Sequence, residues 1–126
     1  ATLTGAARVA LGPELPPLYT DDDAFAGEIA AAGQRVGDPV WRMPFWTGYE
    51  ATLDSTVADM NNVSDGPFAG SVTAALFLRR FVKQARRFAH FDIYGWRPAV
   101  KPLGPKGGEV QAARAIFELL RTSGRR

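Results

Sequence analysis

Between residues 70 and 84 the sequence places Ala74, Ala75, Leu76, Leu78, Phe81 and Val82 at helical spacing, across a face too broad to leave in water. A helix of that kind needs a second layer, and a sheet is the expected partner. Strand signals do alternate with helical ones along the chain, which favours an α/β layer architecture.

Residues 6–11 read as one short helix, ended by Gly12-Pro13. In 15–20, Pro16 and Pro17 push the backbone towards polyproline or edge-strand geometry. Asp21-Asp22-Asp23 then suits a helix entrance, where carboxylates cap free amides and meet the positive end of the helix dipole. Phe25, Ile29, Ala32 and Val36 form one apolar stripe on that helix, and Gly37-Asp38-Pro39 stops it. A short apolar stretch follows at 40–44, with a second helix at 45–53 and a short strand at 57–62. Ser64-Asp65-Gly66-Pro67 is a loop by composition. At 88–94 Phe88, His90, Asp92 and Tyr94 alternate with Ala89, Phe91 and Ile93, a strand pattern rich in aromatics. The stretch 96–108 holds three prolines and three glycines and is expected to be irregular. Residues 109–121 read as a closing helix with Val110, Ala113, Ile116, Phe117 and Leu120 inward, and 122–126 as a polar tail.

At 126 residues the chain has room for one domain. It contains no cysteine, which removes disulfides, thiolate metal sites and cysteine nucleophiles. Fifteen basic against thirteen acidic side chains leave +2, an excess too small and dispersed to point to nucleic acid. No apolar run approaches the roughly 18 residues of a membrane span, and no basic-then-apolar leader opens the chain. The opening, Ala1 to Ala7, reads as the end of a buried strand running into a helix, and suggests a piece of something longer.

His90 and Asp92 share a strand face and could ligate a metal or form an acid–base pair. One histidine and one carboxylate fall short of the usual ligand count, so a hydrogen-bonded polar pair is the preferred reading. Asp59 to Gly66 lacks the pattern and closing glutamate of a calcium loop. Pro105 to Glu109 opens the last helix and could meet a phosphate, but departs from the phosphate-loop pattern. Trp41, Trp46 and Trp96 with Arg42 and Arg97 could stack on nucleic acid; core or interface roles are commoner. The residues by themselves present no complete catalytic constellation.

Several segments, in order, resemble one family. They are ATLTGA at 1–6, GDPVWRMP at 37–44, ADMNN at 58–62, FAGSVTAALFLRRFV at 68–82, AHFDIYGW at 89–96 and PKGGE at 105–109. Their order and spacing resemble the last third of the catalytic domain of the cytosol (leucyl) aminopeptidases. The resemblance implies an α/β fold, part of a three-layer α/β/α sandwich around a mixed β-sheet. Residues 1–121 would be the C-terminal portion of the catalytic domain. It implies a metallopeptidase that removes N-terminal residues, often leucine, from peptides. Two divalent ions, zinc or manganese, activate a water in the complete enzyme.

The family's metal ligands and catalytic residues lie on a DTGG-containing motif and on NTDAEGR, and neither occurs in this chain. No catalytic residue and no metal ligand is therefore carried over, no ion is expected on this chain alone, and the segment alone is expected to be inactive. Substrate-binding positions do carry over. Thr2 and Gly5 match positions lining the pocket for the substrate's N-terminal side chain, and Leu3 one whose backbone meets substrate. Tyr94 stands where other members have a small residue in the same pocket. The expected partners are peptide substrates, the upstream part of the polypeptide and further copies in a homohexamer. The expected location is cytoplasmic, with neither membrane nor nucleic acid as a partner. The alternative is a non-catalytic interaction or regulatory module on the same scaffold, possibly associated with DNA.

Overall fold

The computed structural model describes residues 1–102 and 104–123. Along the chain run α1 (Arg8–Leu11), β1 (Pro17–Tyr19), α2 (Asp23–Val36), β2 (Trp41–Arg42) and a 3-10 helix (Thr47–Leu53). After these come α3 (Gly70–Arg79), β3 (His90–Phe91), β4 (Trp96–Arg97), β5 (Gly107–Gly108) and α4 (Ala113–Ser123).

The main sheet has the order β2-β1-β3 and is mixed, β1 pairing parallel with β2 and antiparallel with β3. A parallel bridge between Thr2 and Asp92 extends it beyond β3. Strand alternation sends neighbouring side chains to opposite faces. Leu18 joins Ala26, Ile29, Ala32, Phe91 and Leu119 on the face covered by α2 and α4. Tyr19 points the other way, onto Leu53, Val72, Ala75 and Leu76 of the 3-10 helix and α3. Two helical layers thus enclose one mixed sheet, the α/β/α sandwich expected from the resemblance. Among the described residues no helix is long and apolar enough to cross a membrane.

Pro16 and Pro17 do not mark an edge: β1 is the middle strand of the three. Proline lacks only the donor, and the neighbours use its carbonyl. Trp41 N–H donates to Pro16 (3.0 Å) and Asp92 N–H to Pro17 (3.2 Å). No strand forms at 57–62; Val57 is 94% exposed, and Asn61 bonds back to the carbonyls of Leu53 and Asp54. The helix expected at 45–53 is a 3-10 helix over Thr47–Leu53 whose Gly48 and threonines favour α-helix weakly. In α3 the last turn tightens, with Phe81 and Val82 N–H donating three residues back, so the helix stops at Arg79.

The strand expected at 88–94 narrows to His90–Phe91, and 96–108 contains the β4–β5 ladder. Glycines at 107 and 108 carry no side chain to announce a strand. The closing helix begins at Ala113 and turns a face inward that shares only Ile116 with the one expected. Ala115, Glu118 and Leu119 are buried, whereas Val110, Phe117 and Leu120 stand at least 66% exposed. Leu103 and the last three residues of the 122–126 tail lie outside the described residues.

Candidate functional site

The four substrate-side residues expected from the sequence gather at one end of the sheet. Thr2 N–H donates to the Phe91 carbonyl (2.9 Å), and Ile93 N–H to the Thr2 carbonyl (2.8 Å). Asp92, 2% exposed, collects what the next residues offer. The Thr4 hydroxyl donates at 2.6 Å, Gly5 N–H at 3.1 Å and the Thr2 hydroxyl at 3.2 Å. A buried carboxylate with three donors from one segment fixes the path of that segment.

His90 completes the network. Its Nε2 lies 3.3 Å from Thr2 Oγ1, and its ring packs 5.9 Å from that of Tyr19. Burial, aided by the nearby N-terminal charge and opposed by Asp92, lowers its pKa to about 4. The imidazole is therefore neutral. Because the Thr2 hydroxyl donates to Asp92, it accepts from Nε2–H of His90. The pair shares a face as the spacing requires, and both groups are engaged structurally.

Gly5 lies beside the Tyr94 ring. Gly5 has φ +56°, and a Cβ built there would lie 3.2 Å from Tyr94 Cδ2. The Arg8 guanidinium sits over the Tyr94 ring, 5.1 Å from its centroid. Leu3, 70% exposed, lies against Gly95, where a Cβ would come within 2.5 Å of Leu3 Cδ2. Gln111 holds the backbone beneath, its Oε1 accepting from Tyr94 N–H (3.0 Å) and Gly95 N–H (3.2 Å) while its Nε2 donates to Pro13. Thr2 also borders an open cavity of about 410 Å³ lined by Leu53, Val63, Gly70, Thr73 and Phe77; Leu3, Gly5 and Tyr94 lie outside that lining.

Several of the remaining candidates have other employment. Asp22 caps α2 through Phe25 N–H (2.8 Å), as its place before the apolar stripe suggests, while Asp21 and Asp23 pair with Arg79 and Arg42. Arg97 is buried against Glu109 at 2.7 Å. The segment 105–109 does not open α4. The amides there, of Ala112, Arg114 and Ala115, donate to the Asp38 carboxylate at 3.0, 2.9 and 3.2 Å. The long-range contacts of Asp38, Gln111 and Arg8 are ones that sequence reasoning missed, since nothing local announces partners so far along the chain. Among the described residues there is no group of three or more His, Asp or Glu that could hold a metal ion.

Comparison with known proteins gives a consistent picture. The profile of the cytosol aminopeptidase family, catalytic domain, matches residues 1–117. A probable cytosol aminopeptidase of Nitratidesulfovibrio vulgaris is 49% identical over 123 residues, covering 95% of this chain and 24% of that protein. One of Chloroherpeton thalassium is 44% identical over 122 residues, covering 96% and 24%. The crystal structure of a cytosol aminopeptidase from Coxiella burnetii superposes with a TM-score of 0.86 at 46% identity, covering 97% of this chain and 27% of that one. The bottromycin maturation enzyme BotP in complex with Mn superposes at 0.87 and 35% identity, covering 98% and 28%. The chain spans about a quarter of the length of the curated relatives it matches.

Proposed function

This chain belongs to the cytosol aminopeptidase family, and we propose that it forms the substrate-side wall of a two-metal aminopeptidase active site. The observation that carries the reading is the catalytic-domain match over 1–117 in a chain a quarter as long as its relatives. Thr2, Leu3, Gly5 and Tyr94 bind the N-terminal residue of a peptide. Thr2, Gly5 and Tyr94 line the pocket for its side chain, and the Leu3 backbone meets the substrate. Asp92 and His90 hold this segment in register, so the wall needs no rearrangement when substrate arrives.

Two divalent ions, zinc or manganese, supply water activation and carbonyl polarisation when bound. The described residues do not fit such a group, since Asp92 and His90 face their own segment and no three-ligand cluster exists among them. The ions belong to the part of the polypeptide outside these residues, which makes this chain inactive by itself. Manganese is supported as a candidate by the relative solved with Mn. A cytoplasmic homohexamer with peptide substrates, neither membrane-bound nor held on nucleic acid, completes the reading.

The test assays the 126-residue chain and the complete product of its gene for hydrolysis of leucyl and alanyl anilides with added Mn²⁺ or Zn²⁺. The complete product should turn over and the chain should not. Turnover by the chain alone, with two tightly held ions, would overturn the assignment of the ligands elsewhere. A metal-loaded complete product that cleaves no aminoacyl anilide would overturn the peptidase reading.

A further inference from the structure

We propose that Arg8 sets the side-chain preference of this site, by holding the Tyr94 ring over Gly5 and closing the pocket to all but small N-terminal residues. The inference rests on the aminopeptidase reading and names its substrate class: peptides that begin with glycine- or alanine-sized side chains rather than leucine.

Three separate constraints place the ring. Gln111, 7% exposed, fixes the backbone of Tyr94 and Gly95 by accepting from both amides. Gly5, held by Asp92, has no Cβ, and one built there would crowd the ring at 3.2 Å from Tyr94 Cδ2, so the ring's place depends on the glycine. Arg8 then closes the far side, its Cζ 5.1 Å from the ring centroid. Its Nη1 and Cδ come within 3.5 and 3.7 Å of the position a Gly5 Cβ would take, so one guanidinium arm spans both Gly5 and the ring. Among the described residues Arg8 enters no ion pair, which leaves the ring face as its electrostatic partner. The result is that Gly5 is buried although it belongs to the proposed pocket. A substrate side chain cannot reach Gly5 while the ring stays there.

One methylene more or less in a tight apolar pocket changes kcat/KM by roughly 10–200-fold. The complete gene product should therefore favour alanyl over leucyl anilide by about tenfold or more. Tyr94→Ala should raise the leucyl-to-alanyl ratio of kcat/KM by about tenfold. Arg8→Ala should move it the same way by a smaller factor, because the ring is freed rather than removed. Tyr94→Phe keeps ring and cation contact and should retain the parent ratio. A parent enzyme that prefers leucine overturns the proposal. So does a folded Tyr94→Ala variant that loses both activities equally. Should Tyr94→Ala fail to fold, the exposed Arg8→Ala variant decides: an unchanged ratio refutes the role given to Arg8. Absence of hydrolysis from the metal-loaded parent would instead strike the aminopeptidase reading, and this inference with it.

Discussion

His90 couples the segment around Thr2 to pH through a single proton. In the folded chain burial holds its pKa at about 4, against an ordinary value near 6.5. Between those values the unfolded chain binds a proton that the folded chain refuses, so stability must fall as pH drops from about 6.5 to about 4 and level off below. The loss attributable to this one residue is roughly 2–3 kcal/mol. Urea unfolding at pH 7 and at pH 4.5 should register it, and the His90→Gln variant should show a shallower decline. Equal slopes in the two proteins would mean that the imidazole titrates freely. Asp92 is the complementary case: its three donors would all lose their acceptor in Asp92→Ala, leaving the buried Gly5 amide unpaired.

At Gly33, α2 packs closely against both the Asp38 backbone and Ala115 of α4. A Cβ at Gly33 would lie 2.5 Å from the Asp38 carbonyl oxygen and 3.5 Å from Ala115 Cβ. Asp38 itself caps α4, so the glycine, the cap and the helix rotation form one unit. Gly33→Ala should destabilise the protein by about 1–3 kcal/mol, because the obstacle is backbone that cannot swing aside. Gly27 in the same helix has nothing within 4 Å of its Cβ position. There the alanine should stabilise by roughly 0.5–1 kcal/mol through helix propensity alone. Thermal unfolding of the pair measures both signs at once. Two melting points that move together would refute the close-approach account. The same approach bears on which face of α4 turns inward. Its apolar residues fill two adjacent stripes; Ala115 faces Gly33 and Leu119 joins the core, while Phe117 and Leu120 stay exposed.

At the scale of the whole molecule, much apolar surface stays in contact with water. Phe117 and Leu120 on α4, Phe68 before α3, and Leu3 near the start of the chain are all at least 66% exposed. β2 is the outer strand of the sheet on one side, and the Thr2 bridge closes the other with a single residue pair. Open edges and apolar patches both favour association. The 126-residue chain by itself should therefore aggregate or self-associate in dilute solution. Light scattering after size-exclusion chromatography, with unfolding measured at two protein concentrations, would test this. A 13.6 kDa monomer with one concentration-independent transition would show instead that these residues form a self-sufficient domain.

What the sequence determined by itself was local chemistry and order. Asp22 before an apolar stripe had to cap α2, and Gly37 had to end it, since both effects act within a turn of chain. The alternation around His90 put His90 and Asp92 on one face, because strand geometry has period two. The order of segments was enough to identify the family, and with it the layered fold. What only the tertiary structure decided were choices between equally good local options. Residues 96–108 pair as a ladder whose glycines hide it, and 57–62 has a strand's composition but no strand to pair with. Asp38 reaches amides more than seventy residues ahead, and Arg8 finds a ring at Tyr94 across a glycine. Such contacts are set by where the layers bring distant backbone together, and no local pattern encodes that distance.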